Sequence, residues 1–325
     1  MAGQTAMRAA GWMIAVGSVA TLLGTILVLS VASRADLGSR WPVRSAPIDF
    51  LMMAGGGGLL ALGGLTALLG LALYVLLPAF SRGGQALKSY GSHRVVLACT
   101  ALATVLGNLL AASYFLVIGP FVAGDGARVG PTTGRILSPE GIAVAAISLD
   151  IALMAIVYLR IVRPGAISWQ RMGLNSRGLL GRLLLGLLFG AVLFAVSSVL
   201  EYLLAQLGVR QTQAATFQSV TRASPQQFGL VLLAGAVVAP FVEEIYFRGY
   251  VFRAYLDQKG LPQAFLFSAG LFALVHLDLA AMLPILAVGL LLSFLYYRTG
   301  SVLPGIVAHM ANNAVAFTLL YLGVS

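Results

Sequence analysis

Apolar runs of about twenty residues or more recur along this chain, and no other feature limits its folding as strongly. A helix needs roughly 20 mostly apolar residues to cross a bilayer. Within hydrocarbon, its backbone N–H and C=O groups must be satisfied inside the protein. The runs cover residues 11–32, 50–80, 95–122, 141–162, 179–207 and 228–255, followed by three shorter ones at 261–277, 280–297 and 302–322. The first two short runs are expected to be tilted, broken or partly re-entrant. Hydrophobic residues make up 59% of the chain and charged ones 9%, and mean hydropathy is +0.95. That balance excludes a soluble globular domain. The expected fold is an all-α polytopic integral membrane protein of about nine transmembrane helices.

The net charge of +10 does not indicate nucleic acid, because the arginines stand singly between apolar runs and form no basic stripe. Membrane topology accounts for them better. With a cytoplasmic N-terminus, the inside loops receive Arg8, Arg82, Lys88, Arg94, Arg160, Arg163, Arg171, Arg177, Arg182, Arg253, Lys259 and Arg298. Outside loops keep Arg34, Arg40, Arg44, Arg128, Arg135, Arg210 and Arg222, so the positive-inside rule favours this orientation. The bacterial cytoplasmic membrane is the expected location. The first run is read as a span; Val31, Ala32 and Ser33 resemble a signal-peptide cleavage region, but the run is long for one. The single Cys99 cannot form an internal disulfide.

Residues 1–165 read as N-terminal transmembrane helices, and the small residues from Gly55 to Gly70 suit close helix packing in lipid. A polar, arginine-rich stretch from 160 to 182, with Pro164 and Trp169, is expected to lie along the headgroups and marks a boundary. Residues 166–325 then form a second domain, with a polar external connection at 211–227.

Ionisable side chains at membrane depth cost several kcal/mol and need a partner, a wet cavity or a function. In the sixth run, Glu243, Glu244 and Arg248 stand together just after Pro240, which is expected to kink the helix. Glu244 and Arg248 are one helical turn apart, acid first, as suits an ion pair. Glu243 points about 100° away and is left to face a cavity or another helix. The next run supplies Phe272 and His276, and the last supplies His309 and Asn313, each pair at i,i+4 spacing. At about 1.5 Å per residue, Glu243, His276 and His309 lie roughly 18, 22 and 10 Å from the presumed cytoplasmic ends, a spread of little more than two turns. Three packed helices can gather them around one buried pocket. His276 and His309 are two of three histidines; the third, His93, falls in a basic loop.

The motifs Glu-Glu-x-x-x-Arg, Phe-x-x-x-His and His-x-x-x-Asn, in this order on successive helices, resemble those of the CAAX-processing and bacteriocin-processing (abortive-infection) family of intramembrane endopeptidases. The resemblance covers roughly residues 226–320, the C-terminal four helices. It implies hydrolysis of a peptide bond in a membrane-associated protein or peptide. Glu243 and His276 would then activate water, while His309 and Asn313 stabilise the oxyanion; Glu244, Arg248 and Phe272 would support them. A zinc-dependent reading uses His276, His309 and Glu243 or Glu244 as ligands. No His-Glu-x-x-His helix is present, which inclines the choice towards metal-free glutamate chemistry. The rival functions are a membrane transporter, suggested by Asp150 and Glu201 within spans, and a non-catalytic immunity or scaffold protein. Local hydrogen bonding is the expectation for both acids.

Overall fold

The computed structural model describes residues 2–36, 46–80, 90–115, 138–175, 178–209 and 219–324. Residues 116–122 of the third run, residues 211–218 of the external connection, and Arg40, Arg44, Arg82, Lys88, Arg128, Arg135, Arg177 and Arg210 lie outside them. The chain forms two compact units, Met1–Ala86 and Leu87–Ser325. Among the described residues the elements are helical, and eight helices are long and apolar enough to cross a membrane. With one shorter apolar helix they match the nine runs read from the sequence.

The first unit pairs α1 (Ala2–Asp36) with α2 (Ala46–Phe80). Glycines seven apart make the seam. Gly17 meets the backbone at Ala67, a Cβ on Gly63 would sit 2.7 Å from the Thr21 nitrogen, and one on Gly70 would sit 2.8 Å from the Ala10 oxygen. Heptad spacing keeps such a stripe on one face of paired helices. Gly55, Gly57 and Gly58 face open space, so only part of the glycine-rich stretch serves packing.

The second unit comprises α3 (His93–Ser113), α4 (Pro139–Ile156, continued by a π-helical segment Val157–Val162), α5 (Leu179–Gln206), a composite α6 (Pro225–Lys259), α7 (Leu261–Val275), α8 (Met282–Thr299) and α9 (Leu303–Tyr321). Serine side chains cap three starts: Ser92 for α3, Ser138 for α4 and Ser224 for α6, the last in a reciprocal capping box with Gln227.

At the centre, α6 packs against α4, α7, α8 and α9. It changes register twice. A π-helical turn, Leu233–Val238, directly precedes Pro240, whose ring lacks an N–H and crowds the preceding carbonyls. The expected kink is thus taken up as a widened turn. A second π-helical segment, Glu244–Phe252, follows, and every residue in it is buried.

Buried polar bonds hold α6 to α3: the Thr100 and Tyr246 hydroxyls lie 3.0 Å apart, and His93 Nδ1 lies 2.5 Å from the Tyr255 hydroxyl. His93 opens α3 instead of sitting in a loop. At the same end Tyr90 donates to Asp257 at 2.7 Å. Burial, then that bond, pushes the Tyr90 hydroxyl up to about 12.

The arginine-rich stretch is exposed at Arg163 and Arg171 but buried in part. Arg160 is 1% exposed, and Met172 is buried against Gly249 of α6. Gly173, at φ +97°, brings its carbonyl to the Ser301 hydroxyl at 2.9 Å. The segment therefore docks on the turn that opens α9.

Candidate active site

The Glu244 carboxylate lies where α6, α8 and α9 meet, with 0% exposure. Arg248 Nη1 donates to its Oε1 at 2.8 Å, and Arg248 Nη2 donates to the Gly289 carbonyl of α8 at 3.0 Å. The i,i+4 pair expected from the sequence is therefore formed, even across the π-helical segment. His309 of α9 places Nδ1 3.3 Å from the same Oε1. The other oxygen, Oε2, lies beside Gly305 in the first turn of α9, where a Cβ would come within 2.8 Å. The positive end of that helix adds to Arg248 in favouring a carboxylate there.

Glu243, one residue earlier, is also buried, and its Oε2 lies 3.8 Å from His309 Nε2. His309 thus stands between two acids, one on each ring nitrogen. The sequence left Glu243 needing a group on another helix, and α9 supplies it.

Phe272 of α7 joins the second histidine to this cluster. Its ring lies edge-to-face with His309 at 5.6 Å and with His276 at 4.8 Å, and the Arg248 guanidinium stands 4.5 Å over it. Such a cation–π contact contributes about 0.5–2 kcal/mol. His276 ends α7, half-buried, with Nδ1 2.7 Å from the Phe272 carbonyl. A proton on Nδ1 makes that contact a donor bond and leaves Nε2 an acceptor. The chain then breaks sharply: Leu277 has φ +53°, and Asp278 accepts from the Ala280 and Ala281 N–H groups.

Asn313, one turn after His309, donates to the Gly235 carbonyl in the π-helical turn of α6 at 2.9 Å and accepts from Asn312 at 2.9 Å. It lines the same helix contact without a direct bond to either glutamate. Among the described residues, no three His, Cys, Asp or Glu side chains converge to hold a metal ion. His276, His309 and a glutamate, the set of the zinc-dependent reading, thus form no such preformed group.

Residues 225–315 match the family model described as Type II CAAX prenyl endopeptidase Rce1-like. That match brackets Glu243, Glu244, Arg248, Phe272, His276, His309 and Asn313. Over this segment the chain is similar to the CAAX-processing and bacteriocin-processing family. A curated relative, "Putative membrane peptidase YdiL" of Bacillus subtilis (strain 168), is 30% identical over 118 residues, which are 36% of this chain and 47% of that protein. The chain thus aligns with about half the length of that relative. No solved structure matches.

The family motifs name the acids and histidines but omit several groups that place them. The Gly289 and Gly235 carbonyls and the Gly305 approach are backbone features, which side-chain pattern reading does not detect. Asp150 lies on α4, outside the matched segment. Hydrogen bonding was expected for it, yet its Oδ2 has no hydrogen-bond partner among the described residues. Glu201 lies exposed on α5, outside this cluster.

Proposed function

We propose that this protein is an intramembrane endopeptidase that hydrolyses a peptide bond in a membrane-associated protein or peptide. The observation that carries the reading is His309 held between Glu243 and Glu244, with Phe272 linking it to His276. Four costly polar side chains from three helices meet in a contact that stability alone does not require.

In the reaction, Glu243 takes a proton from water as the water oxygen bonds to the scissile carbonyl carbon. His276 Nε2 accepts the other water hydrogen and orients the attack. The carbonyl electron pair moves to oxygen, giving an oxyanion. His309 Nε2–H and the second N–H of Asn313 donate to it, in a pocket where low dielectric strengthens such bonds. Glu243 then returns the proton to the leaving nitrogen as the C–N bond breaks. Glu244 and Arg248 fix the His309 ring by holding Nδ1.

Residues 166–325 carry the peptidase site in this reading, and α3 and α4 belong to the same compact unit. The arginine distribution favours a cytoplasmic N-terminus and a bacterial cytoplasmic membrane. Substrates are integral or lipid-anchored, with the bilayer as the medium of encounter.

Glu243→Gln and His276→Ala should each abolish cleavage while leaving the protein inserted and folded. The measurement is comparative proteomics of membrane peptides from cells carrying the wild type or either variant. Cleavage retained in a purified variant sinks the reading. Chelation with verified metal depletion should leave activity unchanged; loss restored by zinc alone would replace glutamate chemistry with a metal mechanism.

A further inference from the structure

Asn312 and Asn313 are neighbours on α9, where the side chains of successive residues diverge by about 100°. These two nevertheless meet, with 2.9 Å between Asn312 Nδ2 and Asn313 Oδ1. Which atom of each amide faces the other follows from α6. In the π-helical turn Leu233–Val238 a carbonyl is served by the N–H five residues on, as the Ala239 N–H serves Ala234. The corresponding residue for Gly235 is Pro240, which has no N–H. Asn313 Nδ2 takes that place and donates to the Gly235 carbonyl at 2.9 Å. Its Oδ1 then faces Asn312, and an amide oxygen only accepts. Asn312 must therefore present its nitrogen, which leaves its own Oδ1 enclosed, with no hydrogen-bond partner among the described residues.

Asparagine at membrane depth commonly bonds across to another helix. Asn313 does so, whereas Asn312, among the described residues, bonds to Asn313 alone. An enclosed acceptor without a bond weakens a fold, so helix association does not account for Asn312. What its donor supplies is direction. One hydrogen bond holds the Asn313 nitrogen but leaves the amide plane free to tilt. A second bond, on the oxygen, fixes the plane and with it the line of the remaining N–H.

We propose that Asn312 is a positioning residue of the peptidase site: by donating to Asn313 Oδ1 it aims the second Asn313 N–H at the developing oxyanion. This rests on the hydrolytic reading above. Asn312 touches no reacting atom and acts through Asn313 alone. It fills an unspecified place in the His-x-x-x-Asn motif, so the motif gives no sign of it.

The test compares Asn312→Leu, Asn313→Ala, the double variant and Glu243→Gln as full chains in proteoliposomes. Solubilised host membrane peptides are the probe, and new peptide termini are scored against time. Leucine keeps the size of asparagine without its donor; Asn312→Ala is the second form of the same change. Either should lower the saturating rate about tenfold with half-saturation unchanged, and Asn313→Ala should lower it about a hundredfold. Added to Asn313→Ala, Asn312→Leu should change the rate by no more than about twofold, because the group it acts through is gone. The chain holds four asparagines, so labelling them with nitrogen-15 resolves each side-chain amide in detergent. The Asn313 pair should shift and lose protection from hydrogen exchange in Asn312→Leu. A wild-type rate in Asn312→Leu, or the same loss in both backgrounds, overturns the proposal. So does an unchanged Asn313 pair, or a wild-type rate in Asn313→Ala. If Glu243→Gln keeps cleaving, the hydrolytic reading fails instead, and the amide spectrum alone decides whether Asn312 holds Asn313.

Discussion

Glu244 accepts from Arg248 through one oxygen, which also lies 3.3 Å from His309 Nδ1, and rests the other against Gly305. Nothing larger than glycine fits there without moving the carboxylate. Gly305→Ala should therefore cost about 1–3 kcal/mol of stability and slow cleavage through a displaced His309, which thermal melting and turnover in detergent would show together. Arg248→Met is harsher, because it strands a buried carboxylate; a loss of about 3–5 kcal/mol is expected, read as failure to purify as a folded monodisperse protein. The acids and histidines were legible in the sequence because each is expensive at depth and the Glu244–Arg248 spacing is local. Gly305 and Gly289 were not. Their roles depend on which backbone lies opposite, and that is set by helix rotation, which no spacing within one helix reports.

The composite helix α6 shows where periodic reading ends. Its apolar run and Pro240 are plain in the sequence, but a count of 3.6 residues per turn cannot show that Leu233–Val238 and Glu244–Phe252 are π-helical. The wide turns set the face that Glu243 presents and free the Gly235 carbonyl for Asn313. Deleting Leu230, in the α-helical stretch Pro225–Leu232 before the wide turn, should rotate Glu243 by about 100° relative to the residues before it. The variant is expected to insert normally and to cleave nothing, as membrane-peptide proteomics would show. The arginine stretch after α4 holds a contact hidden for a related reason: Met172 and Gly173 are buried by tertiary docking on Gly249 and Ser301, which composition does not encode.

The nine apolar helices followed from hydropathy because lipid imposes length and composition directly. The division after Ala86 did not, since it depends on which helices share contacts. Within the first unit, the seam of α1 and α2 is made by backbone approach at Gly17, Gly63 and Gly70. Gly63→Leu should separate that pair, and a chain of residues 87–325 should still fold and retain its melting transition. Helix α7 has a different consequence. Its 15 residues reach only about 22 Å, against a hydrocarbon layer of about 30 Å, and it stops at His276 with Leu277 and Leu279 exposed beyond it. Asp278 satisfies two backbone donors of that break from within the chain. On the hydrolytic reading, bilayers of short acyl chains should bring the His276 end towards the interface and its water and long ones should bury it in oil, so cleavage should fall as acyl chains lengthen, which turnover in proteoliposomes of graded chain length would check.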